Sequence, residues 1–309
     1  RILFAAMTIT GIWVGGWYLQ GVAWTKQNEA IKVGMVQANI AQADKWVPEN
    51  KPAITGEYLA LTSELWGNDL IIWPETSLPY FLHQAETLIM ELHNKAKATG
   101  TALALGILSA EFEADQSTKV YNSFTVLGQG EGLYHKQKLV PFGEYVPLES
   151  LLRGLIDFFD LPMSDMQPGS ADQSLLSFRD KKIMPLICYE VVYPDFVAEY
   201  AQQADILVTV SNDSWFGASI GPHQHLEIAQ MRALETRRYV LRATNNGITA
   251  IINPMGKLVN IAPQFEQTIL QGTAHFRSGN TPFMLTGSWP VIILSISFAC
   301  ICRYQAKKK

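Results

Sequence analysis

The sequence predicts an α/β domain with buried sheets, set between two apolar helices long enough to cross a membrane. Short, almost wholly apolar runs alternate along the body with amphipathic stretches of helical period, and a long uncharged run lies near each end. Apolar residues make up 48% of the 309 and charged residues only 17%, below the roughly 25% usual for soluble chains. The 24 basic residues against 28 acidic ones, net −4, argue against a general nucleic-acid binder, so no nucleic-acid partner is expected. Arg303, Lys307, Lys308 and Lys309 gather basic charge at one end.

Residues 2–25 carry no charge, and about 20 helical residues cross a hydrocarbon core of about 30 Å. Trp13, Trp17, Tyr18 and Trp24 crowd the second half of this run, as an interfacial aromatic belt does. Residues 1–25 are therefore expected to form a transmembrane helix. Next come runs at 31–38, 70–73, 102–108, 183–187 and 206–210, which read as buried strands. Stretches at 57–66, 85–98, 195–203 and 222–238 read as helices; in the second, Leu88, Ile89, Leu92 and Ala96 share one face. No repeat or low-complexity linker divides residues 26–277, which are expected to be one domain. Residues 278–302 are again uncharged, and the basic run RYQAKKK that follows marks a cytoplasmic side. Residues 278–309 then read as a second span with a cytoplasmic tail, which puts both ends inside and the body outside. Of the three cysteines, Cys300 and Cys302 lie in this apolar run, leaving Cys188 alone in the polar part and no disulfide framework.

Three expected strand ends carry reactive groups. Ile71-Ile72-Trp73-Pro74 delivers the carboxylate of Glu75 to the end of a buried strand, either as a helix cap or as a base. Tyr134-His135-Lys136-Gln137-Lys138 sets two lysines before the tight apolar run Pro141-Phe142-Gly143-Glu144. Met184-Pro185-Leu186-Ile187 precedes Cys188-Tyr189-Glu190. A lone cysteine after an apolar strand is more often a buried small hydrophobe, and thiol chemistry needs a base or cation beside it.

Taken together, WPE, YHK and CYE in that order resemble the nitrilase (carbon–nitrogen hydrolase) superfamily, whose Glu–Lys–Cys triad cleaves acyl bonds. VQANIAQADKW, LVPFGEYVPLE, ICYEVVYPDF, SNDSWFG and GPHQHLEIAQMRALETRRYVLRATNNGITAII are further similar to the apolipoprotein N-acyltransferase family. The resemblance implies a nitrilase-like αββα sandwich. It also implies further spanning helices ahead of the domain, residues 1–25 being the last of a larger bundle. It makes Glu75 the general base, Lys136 the oxyanion-stabilising cation and Cys188 the nucleophile. Lys136 is selected over Lys138 by its interval to Glu144. Glu144 and Glu190 are expected in support of the triad, with a merely structural acid equally open for Glu190. Trp46, Tyr189 and Trp215 stand next to matched motifs and could line an acyl or head-group pocket; Asn122 could position Lys136 or the ester.

The implied reaction moves a fatty acyl chain from a phospholipid to the α-amine of a diacylated apolipoprotein through a Cys188 thioester. The setting is the lipid bilayer of a bacterial inner membrane, with a periplasmic catalytic domain and a monomeric, multi-pass enzyme. A membrane-tethered amidase or hydrolase is the alternative, because water can take the same thioester; a non-catalytic binding protein would be expected to have lost a triad residue. His223 and His225 invite a metal reading, but two histidines two apart share no helical face and no metal is expected. No phosphate-binding glycine pattern follows a strand, so no cofactor is expected. Asn245-Asn246-Gly247 reads as a turn between strands.

Overall fold

In the computed structural model, which describes residues 2–113, 116–145 and 166–307, the apolar runs pair into two sheets. Arg1, residues 146–149 of the LVPFGEYVPLE run, and Lys308 and Lys309 of the basic tail lie outside the described residues. The first sheet joins β1 (Lys26–Gln37), β2 (Leu70–Ile72), β3 (Ala102–Phe112), β4 (Thr118–Gly128), β6 (Leu133–His135) and β13 (Thr268–Ser278) in the order β13-β1-β2-β3-β4-β6. The second joins β5 (Gly130–Glu131), β7 (Leu176–Phe178), β8 (Lys181–Ile187), β9 (Ile206–Ser211), β10 (Val240–Thr244), β11 (Ala250–Ile252) and β12 (Leu258–Ile261) in the order β12-β11-β10-β9-β8-β7-β5. Each sheet has a parallel centre, β1-β2-β3 in one and β8-β9-β10 in the other.

Burial on both faces explains why these strands read as continuous apolar runs. Leu70 and Ile72 point into the core between the sheets, with Val33, Met35, Ile206 and Val208. Ile71 and Trp73, one residue out of phase, pack outward against Ile54 and Tyr58 of the helix α1 (Lys51–Ser63) and Leu92 and Ala96 of α2 (Glu86–Ala98). On the far side, Met184, Leu186 and Leu207 meet Val197 of α3 (Pro194–Ala201) and Leu226, Ala229 and Ala233 of α4 (Gly221–Thr236). Helices therefore cover the outer faces of two stacked sheets, the αββα sandwich.

Several boundaries differ from the sequence expectation. β1 begins at Lys26 rather than 31, because its polar first residues pair with β13, Lys26 opposite Ser278, rather than bury side chains. α1 starts at Lys51 rather than 57; Pro52 sits in its first turn, where an N–H has no intrahelical partner. β3 runs on to Phe112 because β4 returns beside it, from Ala102 opposite Gly128 to Phe112 opposite Thr118. Residues 245–249 turn between β10 and β11, as the Asn-Asn-Gly signal predicts.

The two end runs are helical, Ile2–Gln20 and Trp289–Lys307. Among the described residues, Trp289–Lys307 is a helix long and apolar enough to cross a membrane, with none of its apolar window buried. Trp13 and Trp17 on the first helix are likewise exposed. Both helices leave from neighbouring points, since Arg277 beside the end of β13 donates to Thr25 beside the start of β1 at 2.9 Å from Nε and 2.9 Å from Nη2.

Candidate active site

Carboxyl ends of strands converge here, the usual position for a site in a parallel sheet. Glu75 follows β2, Lys136 follows β6, Cys188 follows β8 and Asn212 follows β9. Glu75 can turn in this tightly because β3 offers Gly106 beneath it. A Cβ there would lie 2.6 Å from Pro74 O and 2.7 Å from Glu75 Cα. Its carboxylate accepts hydrogen bonds from Asn122 Nδ2 at Oε1 (2.7 Å) and Asn212 N at Oε2 (2.9 Å).

Lys136 is 1% exposed, with Nζ 2.8 Å from Glu144 Oε1 and 3.6 Å from Glu75 Oε1. Burial works to strip its proton, but the two carboxylates outweigh it and hold the ammonium charged well above the ordinary lysine range. Lys138 is exposed, and its Nζ lies 5.4 Å from the Phe196 ring. Glu144 also accepts from Val140 N at 2.8 Å, so its own turn fixes the acid that fixes the lysine.

Cys188 opens a single 3₁₀ turn, Cys188–Val192, with φ +52°, a conformation costly for a residue bearing a Cβ. Burial first, then the nearby Glu75 charge, pushes its thiol well above the ordinary range, while Lys136 pulls it back down. At neutral pH the sulfur is therefore a thiol, and attack on a carbonyl requires a base to remove its proton.

The other expected residues fall into two groups. Asn122 is buried and spends both donors on carboxylates, bonding Glu144 Oε1 at 3.1 Å as well as Glu75, so it spaces the two acids. Glu190 is fully buried and gathers four donors. Tyr134 Oη and Gln137 N each bond Oε1 at 2.7 Å, Lys138 N bonds it at 3.2 Å, and Ile187 N bonds Oε2 at 2.7 Å. This acid ties the segment bearing Lys136 to the segment bearing Cys188. Trp46 packs against the cluster of Leu108, Leu139 and Met166, and Tyr189 meets Tyr193 edge-on at 5.4 Å. Trp215 is exposed on the 3₁₀ turn after Asn212.

Truncating Glu190 tests its structural share. Glu190→Ala strands three backbone N–H groups and a phenol, each worth about 1–3 kcal/mol when buried without a partner. The variant is expected to lose about 3 kcal/mol or more and to melt about 5–10 °C lower in a thermal unfolding scan. A shift under about 1 °C would mean the acid holds nothing together.

Asn212, whose N–H meets Glu75, and Lys45 escaped the sequence reading. Lys45 is buried, and its Nζ donates to Thr76 Oγ1 at 2.7 Å and to Glu75 O at 3.3 Å. Burial lowers its pKa to about 8 against the attraction of Glu75. It thereby clamps the turn after Glu75, where Thr76 takes φ +43°. The only signal was its place in ADKW beside Trp46. Among the described residues no three His, Cys, Asp or Glu side chains are grouped to hold a metal ion.

A sequence model of the carbon–nitrogen hydrolase family matches residues 32–277. The chain is 49% identical over 291 residues to a Pseudomonas paraeruginosa protein named apolipoprotein N-acyltransferase, covering 94% of this chain and 57% of that one. It is 46% identical to a protein of the same name from Azotobacter vinelandii, covering 96% of this chain and 58% of that one. The chain thus spans a little over half the length of these relatives. Among solved structures it is similar to Saccharomyces cerevisiae Nit3, a member of branch 10 of the nitrilase superfamily. The TM-score is 0.56 at 19% identity, over 86% of this chain and 95% of that one. The chain belongs to the carbon–nitrogen hydrolase family, and its sandwich is the nitrilase-like fold.

Proposed function

We propose that this carbon–nitrogen hydrolase family member is an N-acyltransferase. It would move a fatty acyl chain from a phospholipid to the N-terminal α-amine of a diacylglyceryl-cysteine on an apolipoprotein. One observation carries the chemistry: a buried, charged Lys136 paired with Glu75 and Glu144, on a segment that Glu190 ties to the one bearing Cys188. The name shared by its relatives supplies the acceptor.

In this reading Glu75 takes the thiol proton as the sulfur attacks the ester carbonyl. Lys136 and the backbone N–H of Tyr189 meet the developing oxyanion. The ester C–O bond then breaks, and Glu75 returns the proton to the departing alcohol, leaving a lysophospholipid and a Cys188 thioester. The amine attacks next; Glu75 removes its proton and delivers it to the sulfur as the C–S bond breaks. Glu144 and Asn122 keep Lys136 and Glu75 in place, and Glu190 holds the two segments together. No metal or cofactor takes part in the scheme.

The surroundings suit a lipid donor. Phe142 and Tyr145 flank Glu144, and Trp215, Phe216 and Ile220 follow Asn212, all exposed. With Trp46 and Tyr189 they would offer the acyl chain an apolar path. The helices Ile2–Gln20 and Trp289–Lys307 would span the inner membrane, bounding a periplasmic body at 26–277 with a cytoplasmic C-terminus. The enzyme would act as a monomer on the bilayer.

The test mixes labelled phospholipid, purified protein in detergent and a synthetic diacylglyceryl-cysteine peptide, read by mass spectrometry. The expected product is the peptide heavier by one amide-linked acyl chain. Release of free fatty acid with no acylated peptide would replace this reading with a membrane-tethered hydrolase.

A further inference from the structure

Behind Cys188 lies a buried chain of groups that the acyl-transfer scheme leaves unused. His225, on α4, places Nε2 3.1 Å from the carbonyl oxygen of Cys188. Its Nδ1 lies 3.1 Å from Asp213 Oδ1 and 3.2 Å from Arg242 Nη2. Asp213 in turn accepts from Arg242 Nη2 at 2.7 Å and from Ser211 Oγ at 3.0 Å. Asp213 and Arg242 are almost wholly buried, and His225 is 7% exposed. Gly247 completes the packing, since a Cβ there would run into the Asp213 carboxylate. The segment of His223 and His225, for which no metal was expected, and the segment read as a turn thus meet in one network under the nucleophile.

A carbonyl oxygen only accepts, so Nε2 carries the proton of this contact. In a trans peptide the C=O of residue 188 and the N–H of residue 189 point in opposite directions within one plane. Fixing the carbonyl on the α4 side therefore aims the Tyr189 N–H the other way. That N–H falls in the first turn of the 3₁₀ helix, where backbone donors have no partner within the helix. The Cys188 turn is strained at φ +52°, so something outside it must hold this peptide plane.

The geometry points to His225 as a positioning residue for the acylation step, clamping the Cys188 carbonyl so that the Tyr189 N–H faces the oxyanion. This rests on Cys188 being the nucleophile of the proposed reaction. Asp213 and Arg242 hold the imidazole ring in place, and His225 itself touches no reacting atom.

Two amides separate its two contacts. In His225→Gln the side-chain nitrogen reaches about where Nε2 was and keeps the bond to Cys188; in His225→Asn it falls about where Nδ1 was and keeps only the bond to Asp213. The first half-reaction is read as the burst of p-nitrophenol from a p-nitrophenyl fatty ester, which needs no acceptor. The thiol becomes a thioester and its proton leaves with the phenol. Alkylation of Cys188 by iodoacetamide reads thiol access without forming an oxyanion. His225→Asn is expected to slow the burst about tenfold to a hundredfold, with alkylation within about twofold of wild type. His225→Gln is expected to stay within about threefold in both readouts. Equal bursts in the two variants, a slower burst in Gln than in Asn, or alkylation falling in step with the burst would overturn the assignment. A wild-type enzyme with no burst would overturn it too, along with the covalent scheme. A wild-type burst whose acyl group no amine can discharge sinks only the acceptor reading, and the comparison of Gln with Asn still decides the role of His225.

Discussion

Lys136→Ala is expected to lower acyl transfer by about 10³-fold or more, and Lys138→Ala to change it by less than about threefold. The two lysines stand two residues apart, yet one is buried between carboxylates and the other exposed beside an aromatic ring. An oxyanion donor is typically worth about 10²–10³ in rate, and a fixed charge in a desolvated site is worth more than a neutral donor. Losing Lys136 has a second consequence. Asn122 Nδ2 bonds both Glu75 and Glu144, so without the ammonium two carboxylates face each other across one amide. Their repulsion would push Glu75 out of the position from which it acts on the thiol. An exposed cation–π contact such as that of Lys138 is worth only about 0.5–1 kcal/mol. Steady-state transfer by the two variants, each checked for a native melting curve, decides the matter. Equal losses, or a loss confined to Lys138→Ala, would mean the cation of the reaction is another group.

Much of the sandwich could be read from the chain because its central strands are buried on both faces. Residues 70–73 and 183–187 are apolar without a break, and 206–210 are interrupted only by Thr209, so no amphipathic alternative competes with that pattern. The placement of Glu75 and Cys188 followed directly, each being the first reactive side chain after such a run. Strands with polar residues mixed into them were harder to see. β4 and β13 mix Thr, Lys, Asn, Gln and Arg into their sequences, and they exist because β3 and β1 offer long antiparallel edges to pair with. β10 carries Arg242 at its centre, and that position reads as surface until Asp213, 29 residues earlier, is brought against it. Lys45 is the same case in the site itself, a lysine among polar neighbours that folding buries against Glu75 and Thr76. Local pattern reports which faces are covered. It does not report which charges meet under the cover, because such pairs are set by tertiary packing.

Phospholipid alone is expected to acylate Cys188 once per enzyme, releasing one equivalent of lysophospholipid and leaving an adduct that hydroxylamine removes. The expectation follows from the state of the thiol. Burial and Glu75 hold it protonated, Lys136 opposes them, and the strained turn presents it at the end of β8. A base therefore has to act during attack, and once the thioester has formed, no part of the acceptor is needed to keep it. Glu75→Gln keeps the shape, and its amide can still meet Asn212 N through oxygen, but it cannot take a proton. Acylation is expected to fall by about 10²–10⁴-fold. Cys188→Ser should form little or no acyl-enzyme, because a hydroxyl is much harder to ionise and its ester reacts less readily with an amine. Adding the diacylated peptide should then discharge the adduct. The discharge rate should climb about tenfold per pH unit up to about pH 7.7–8.0, where the α-amine loses its proton, and level off above it. The acceptor-free incubation is the decisive one. A folded enzyme that labelled phospholipid never acylates, yet that transfers when both substrates are present, must join donor and amine in a single step, and Cys188 would then be a packing residue beside a Glu75–Lys136 pair.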